Sequence, residues 1–139
     1  MRLVIDTNIL VSALLSERSL PAHLVTLWRD GRFDLLTSNP QLDELMRVTR
    51  YPKIKARIAS ALAGRLINEL RALAVMLDRL ETVTVCRDPY DNYLLAMAHA
   101  GGADFLVTGD GRDLLSMGLY RGTRIVAVRA FLTMHRQLP

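Results

Sequence analysis

Cysteine is nearly absent from this 139-residue chain. Cys86 stands alone, which excludes a disulfide framework and a thiolate metal cluster. Long apolar runs are missing too. Half of the residues are apolar, yet no run approaches the roughly 20 residues that span a bilayer, so no membrane partner is expected. The opening Met1-Arg2-Leu3-Val4-Ile5 meets Asp6 after a short apolar stretch and does not make a secretory signal. A cytoplasmic location is the default expectation. Lysine is scarce: only Lys53 and Lys55 stand among 18 basic residues, and the rest are Arg. Arg presents a planar fork suited to phosphate, so a net charge of +4 is compatible with nucleic acid. It is equally compatible with ordinary solubility. His23, His99 and His135 lie on separate segments without metal-site spacing and read as ordinary helix residues. Aromatics make up 6% of the chain, so Trp28 reads as a packing anchor rather than a base-stacking platform. Met76, Met97 and Met134 read as core filler.

What remains is a soluble globular composition with 23% charged residues and a length that fits one domain over 1–139. Leu3–Ile5, Phe33–Thr37, Glu81–Cys86, Phe105–Thr108 and Arg124–Val126 read as strands. Between them lie helical stretches at 8–15, 22–30, 40–49, 52–77, 89–100, 113–117 and 128–137. Asn39 is the expected cap of the third helix, with Pro40 at its first position. Gly64 marks a break inside the long Pro52–Leu77 stretch. Five strands separated by helices predict an α/β sandwich with a mostly parallel sheet.

Against this basic background, four acids take particular places: Asp6, Glu44, Asp91 and Asp110. Asp6, Asp91 and Asp110 follow apolar runs and open helix-like segments, positions that share the crevice at the carboxyl ends of parallel strands. Carboxylates crowded there repel one another unless a cation sits between them. Each acid also has a plain structural explanation, since acids are enriched at helix N-termini. Asp88 reads as the cap of the helix after Pro89, with Asp91 reaching back to it, and Asp113 reads as another capping acid. Glu44 is different, because it lies one turn inside its helix, too far in to cap it. An oxygen-only ligand set without a Cys or His cluster suits Mg²⁺ or Mn²⁺ and not zinc. Such cations hold a phosphodiester and activate a water to attack it.

Asp6-Thr7-Asn8, Glu44, Asp91-x-x-Leu94-Leu95-Ala96-Met97-Ala98 and Thr108-Gly109-Asp110 resemble, in order, the four signature blocks of PIN-domain nucleases. The stretch Cys86-Arg87-Asp88-Pro89-Tyr90-Asp91 through Leu106-Val107-Thr108-Gly109-Asp110 is especially similar to the VapC-like branch, the toxins of toxin–antitoxin pairs. The resemblance runs from the first strand to the last helix. It implies a PIN-like three-layer sandwich with a five-stranded sheet flanked by helices, and a Mg²⁺- or Mn²⁺-dependent endoribonuclease. By the same resemblance Asp6, Glu44, Asp91 and Asp110 are catalytic metal ligands. Asn8 and Thr108 orient the carboxylates of Asp6 and Asp110. The implied partners are an RNA substrate, a small antitoxin covering the acidic crevice, and a second copy in a homodimer. Asp113 lies one residue further from Asp110 than the acid of some members. Tyr90 stands where an acidic or small polar residue is expected, a departure that bears on substrate access without touching a ligand.

Arg112 is a candidate phosphate contact or a solvated helix residue. Arg50, Lys53 and Lys55 are a surface charge or an RNA contact. A phosphoacceptor receiver domain would need an acid pair after the first strand and a late Lys, and has neither here. An aspartate-nucleophile phosphatase would need Asp where Asn8 stands. The segment Gly109–Leu114 lacks the third glycine of a dinucleotide loop and sets a carboxylate where pyrophosphate would bind. The alternative from another class is a non-catalytic RNA-binding or regulatory PIN-like module. Loss of one acid would be its mark, and all four are present.

Overall fold

Leu3, Val4 and Ile5 are fully buried on both faces of β1 (Arg2–Ile5), near the middle of the sheet. A strand covered on both sides carries a continuous apolar run rather than an alternating one. The computed structural model describes residues 1–110 and 112–137, so Gly111 of the Gly109–Leu114 segment lies outside the described residues. After β1 come α1 (Thr7–Leu15), α2 (Leu20–Arg29), β2 (Asp34–Ser38), α3 (Asn39–Thr49), α4 (Pro52–Lys55), α5 (Ser60–Leu73) and β3 (Val75–Leu77). The second half holds α6 (Pro89–Gly101), β4 (Phe105–Val107), α7 (Leu114–Met117), β5 (Leu119–Tyr120), β6 (Thr123–Val126) and α8 (Val128–Met134).

The strand order is β3-β2-β1-β4-β6-β5, parallel throughout except for the β5–β6 pair. The first three strands wind outward on one side of β1, and β4 returns to its other side. The winding therefore reverses between β1 and β4, where an open α/β sheet leaves a crevice beyond its carboxyl edge. Leu3, Ile5, Leu35, Phe105 and Val107 face a core shared with α1, α2, α3, α5 and α8. Val4, Leu36, Leu106 and Ile125 face the opposite core, filled by Leu94, Leu95, Met97 and Ala98 of α6 and Leu114 of α7. The result is the expected three-layer α/β sandwich.

Four boundaries differ from expectation. The third strand is Val75–Leu77 and not Glu81–Cys86, which has no regular structure. The chain reaches the free edge of β2 directly after α5. In the later segment Val83 packs against a core while Val85 stays 60% exposed. A sixth strand, β5, is a two-residue hairpin arm too short to show periodicity. Arg121 and Gly122, both at positive φ, form the turn that its twist demands. Ser38 rather than Asn39 caps α3, its hydroxyl accepting the Gln41 amide, because Pro40 is tolerated as well at the second helical position as at the first. Gly64 sits inside α5, and the break falls before Ser60. Met134 is exposed and fills no core.

Candidate active site

The switch between β1 and β4 positions two of the acids. Asp6 follows β1 directly, its amide bonded to the Val107 carbonyl at 2.9 Å, and only 2% of it is exposed. Three donors hold its carboxylate. Oδ1 accepts the Asn8 amide at 3.1 Å and the Tyr90 hydroxyl at 3.0 Å, and Oδ2 accepts the Thr108 hydroxyl at 2.7 Å. Asp6 therefore does cap α1, and the bond from residue 8 comes from the backbone of Asn8 rather than its side chain. Thr108, fully buried after β4, accepts the Asp110 amide at 3.1 Å while donating to Asp6. One hydroxyl thus ties the two switch-point loops together, and its proton serves Asp6, not the Asp110 carboxylate as the sequence suggested.

Asp91 comes from the opposite layer, in the first turn of α6, and is 4% exposed. Asp88 caps that helix through the Tyr90 amide at 2.9 Å. Asp91 does not reach back to it; its carboxyl turns toward Asp110. Asp91, Asp110 and Asp113 each offer an oxygen, and the three atoms lie within 4.8 Å of one another. This corrects the capping role expected of Asp113, whose side chain makes no capping bond to α7. A single helical turn after the β4 loop folds its carboxylate inward, a direction that spacing alone does not reveal.

Burial, the neighbouring Asp110, and the more distant Asp88 and Asp6 push the Asp91 carboxyl up to about 7. Asp110 is held below the ordinary carboxylate range, first by its hydrogen bond with Asp91 and then by amides including those of Asp113 and Arg112. The pair shares a proton because two adjacent carboxylates cannot easily both ionise. Burial and the Asp6 charge also push the Tyr90 phenol up, so its hydroxyl remains a donor at neutral pH. These three acids, with Asp6, Asn8, Asp88, Tyr90 and Arg112, line an open cleft of about 510 Å³. The donor set fits a hard divalent cation: it is all oxygen, and a cation between the carboxylates would remove the repulsion that now retains a proton.

Glu44 does not line this cleft. Its carboxylate is engaged by Arg47, three residues on in α3, and Arg47 also reaches the Tyr51 hydroxyl. The side chain by which α3 grips the switch point is Gln41, one turn earlier. It is buried, donates to the Ile5 carbonyl at 2.8 Å and accepts from Thr37 at 2.8 Å. Nothing in its sequence context marked it. Nor did spacing mark the Tyr90 contact, which does touch an expected ligand, contrary to expectation. Arg112 is exposed at the cleft rim and makes no ion pair among the described residues. Arg50 and Lys55 line a separate groove with Arg71, between α3 and α5. His23 and His135 bond to backbone carbonyls of Gln137 and Phe131 and play no part in the cleft. Trp28 is buried in a core.

Comparison with known proteins adds two findings. Residues 2–112 match a family model described as PIN domain. The chain is also 29% identical over 119 residues to the uncharacterized protein MJ1680 of Methanocaldococcus jannaschii, across 84% of this chain and 74% of that protein.

Proposed function

We propose, because this chain belongs to the PIN domain family, that it is a Mg²⁺- or Mn²⁺-dependent endoribonuclease. PIN domains are generally nucleases and usually use divalent metals. The observation that carries the proposal is the convergence of Asp91, Asp110 and Asp113 beside the buried, triply hydrogen-bonded Asp6. Asp6, Asp91 and Asp110 would hold the cation, with Asp113 added by its position. Glu44 is proposed as an outer acid from α3, held apart in this structure by Arg47. When bound, the cation supplies charge stabilisation at the phosphate and lowers the pKa of a water.

The protein's own part is positional. Thr108 and the Asn8 amide fix Asp6 before any ligand arrives, which lowers the reorganisation needed during reaction. Arg112, at the rim, is proposed to contact a substrate phosphate through its planar fork. The similarity of the 86–110 stretch to toxins of toxin–antitoxin pairs supports a toxin role, with a small antitoxin covering the cleft. A homodimer and a cytoplasmic setting belong to the same proposal, as does a single domain over the whole chain. No helix among the described residues is long and apolar enough to cross a membrane.

Incubating purified protein with a mixed-sequence RNA and Mn²⁺ tests this directly. Cleavage should require the cation and fall by about 100-fold or more in Asp6→Asn, as expected when a group acting on reaction charge is lost. Undiminished cleavage by Asp6→Asn would falsify the assignment. Binding of RNA without cleavage under any divalent cation would favour the non-catalytic module instead.

A further inference from the structure

Tyr90 lines the cleft and reaches from the first turn of α6 to Asp6, which follows β1. Its hydroxyl lies 3.0 Å from the Thr7 amide and 3.0 Å from Asp6 Oδ1. The direction of both bonds is settled by chemistry. An amide only donates, so the phenol oxygen accepts from Thr7, and the phenol proton goes to the carboxylate.

This occupies coordination space. An ionised carboxylate has about four acceptor positions, two on each oxygen. On Asp6 the Asn8 amide and the Tyr90 hydroxyl fill both positions of Oδ1, and the Thr108 hydroxyl fills one of Oδ2. A single position on Oδ2 stays open. We propose that Tyr90 is a positioning residue that confines Asp6 to ligation through one oxygen, and thereby sets a preference for Mg²⁺ or Mn²⁺ over Ca²⁺. This rests on the metal-site assignment above.

The link from geometry to selectivity is coordination number. Ca²⁺ takes six to eight oxygens at about 2.3–2.6 Å and readily accepts a carboxylate through both of its oxygens, whereas Mg²⁺ demands a near-octahedral shell at about 2.0–2.1 Å. A carboxylate with one oxygen blocked serves the second ion and disfavours the first. Deleting the phenol proton reopens Oδ1 without altering charge. Phe at this position keeps the ring that packs against Tyr93, 6.5 Å away between centroids.

The experiment measures Mn²⁺ affinity by electron paramagnetic resonance, with Mg²⁺ and Ca²⁺ as competitors and no RNA present. Wild type, Tyr90→Phe, Tyr90→Leu and Thr108→Val are compared. Both Tyr90 variants should lower the Mg²⁺-to-Ca²⁺ affinity ratio by about tenfold, within the range for losing a hydrogen-bond partner of a ligand. Thr108→Val leaves Oδ1 blocked and should weaken all three ions together, at an unchanged ratio. Tyr90→Leu removes the same hydroxyl with a different shape, so agreement with Tyr90→Phe separates the effect from packing. A merely structural Tyr90 would weaken every ion in proportion, and an unchanged ratio in the folded variants overturns the proposal. Wild type that binds no Mn²⁺ overturns the metal site itself. The two failures are therefore distinct.

Discussion

Asp91→Asn should make the metal-free protein more stable. The amide has the shape of the carboxyl and can still donate to Asp110, but it removes one charge from the cluster. In the folded, ion-free protein the Asp91 carboxyl is raised from 3.8 to about 7, mainly by burial and then by Asp110. A carboxyl raised in this way binds its proton more tightly folded than unfolded. Its stabilising contribution is present below the unfolded value near 3.8 and is lost as the pH rises through about 7. Three pKa units at about 1.36 kcal/mol each would give about 4 kcal/mol. The opposite movement of Asp110, which shares the proton, and solvent at the cleft mouth reduce this to about 1–3 kcal/mol. In EDTA near pH 8, Asp91→Asn is therefore expected to melt higher by several degrees, about 3–10 °C for a chain of this size. The gain should shrink steadily toward pH 4. Mn²⁺ at about 1,000 times the dissociation constant should reverse the order, because wild type then gains about 4.1 kcal/mol and the variant gains little. The assay is thermal unfolding across pH in EDTA and in Mn²⁺. A variant less stable than wild type near pH 8 in EDTA, or a gain that does not respond to acid, would refute this account of the cluster.

Glu44→Gln removes the exposed ion pair with Arg47 and should change stability by less than about 1 kcal/mol in urea unfolding. If Glu44 acts as an outer acid, metal-dependent cleavage should fall by about tenfold, the lower end of second-layer effects; full activity would remove Glu44 from the site. Gly101→Ala probes the packing of α6 on the sheet, since a Cβ there would run into Cδ1 of the fully buried Leu36. Overpacking of this kind costs about 1–3 kcal/mol, so the urea midpoint should drop while Mn²⁺ affinity holds. A neutral substitution would show that Leu36 can move aside freely.

The parallel sheet was legible because a doubly covered strand announces itself as an unbroken apolar run, as Leu3–Ile5 and Phe105–Val107 do. Three helices, α2, α3 and α6, were legible through Pro21, Pro40 and Pro89 near their starts. The third strand was not, because alternation at Val83 and Val85 imitates a strand while the three residues of β3 are too few to show a period. Among the acids, Asp113 was read as a cap because an Asp beside a short helix looks the same whether it faces the helix or the cleft. The proximity of Asp91, Asp110 and Asp113 is a property of two layers meeting.

The amino-acid sequence alone determined the fold class, the oxygen-only character of the candidate site and the placing of Asp6 and Asp110 after strands, because these follow from local periodicity and residue chemistry. Tertiary structure decided which acids converge, the pairing of Glu44 with Arg47, and the grip of Tyr90, Thr108 and Gln41 on the end of β1. Those contacts join Asp6 to residues 84 and 102 positions away, and Gln41 to a carbonyl 36 positions away. Pattern along a chain reports which face a residue occupies. It carries no information about what another layer brings to that face, and here that second layer supplies both Asp91 and the hydroxyl that restrains Asp6.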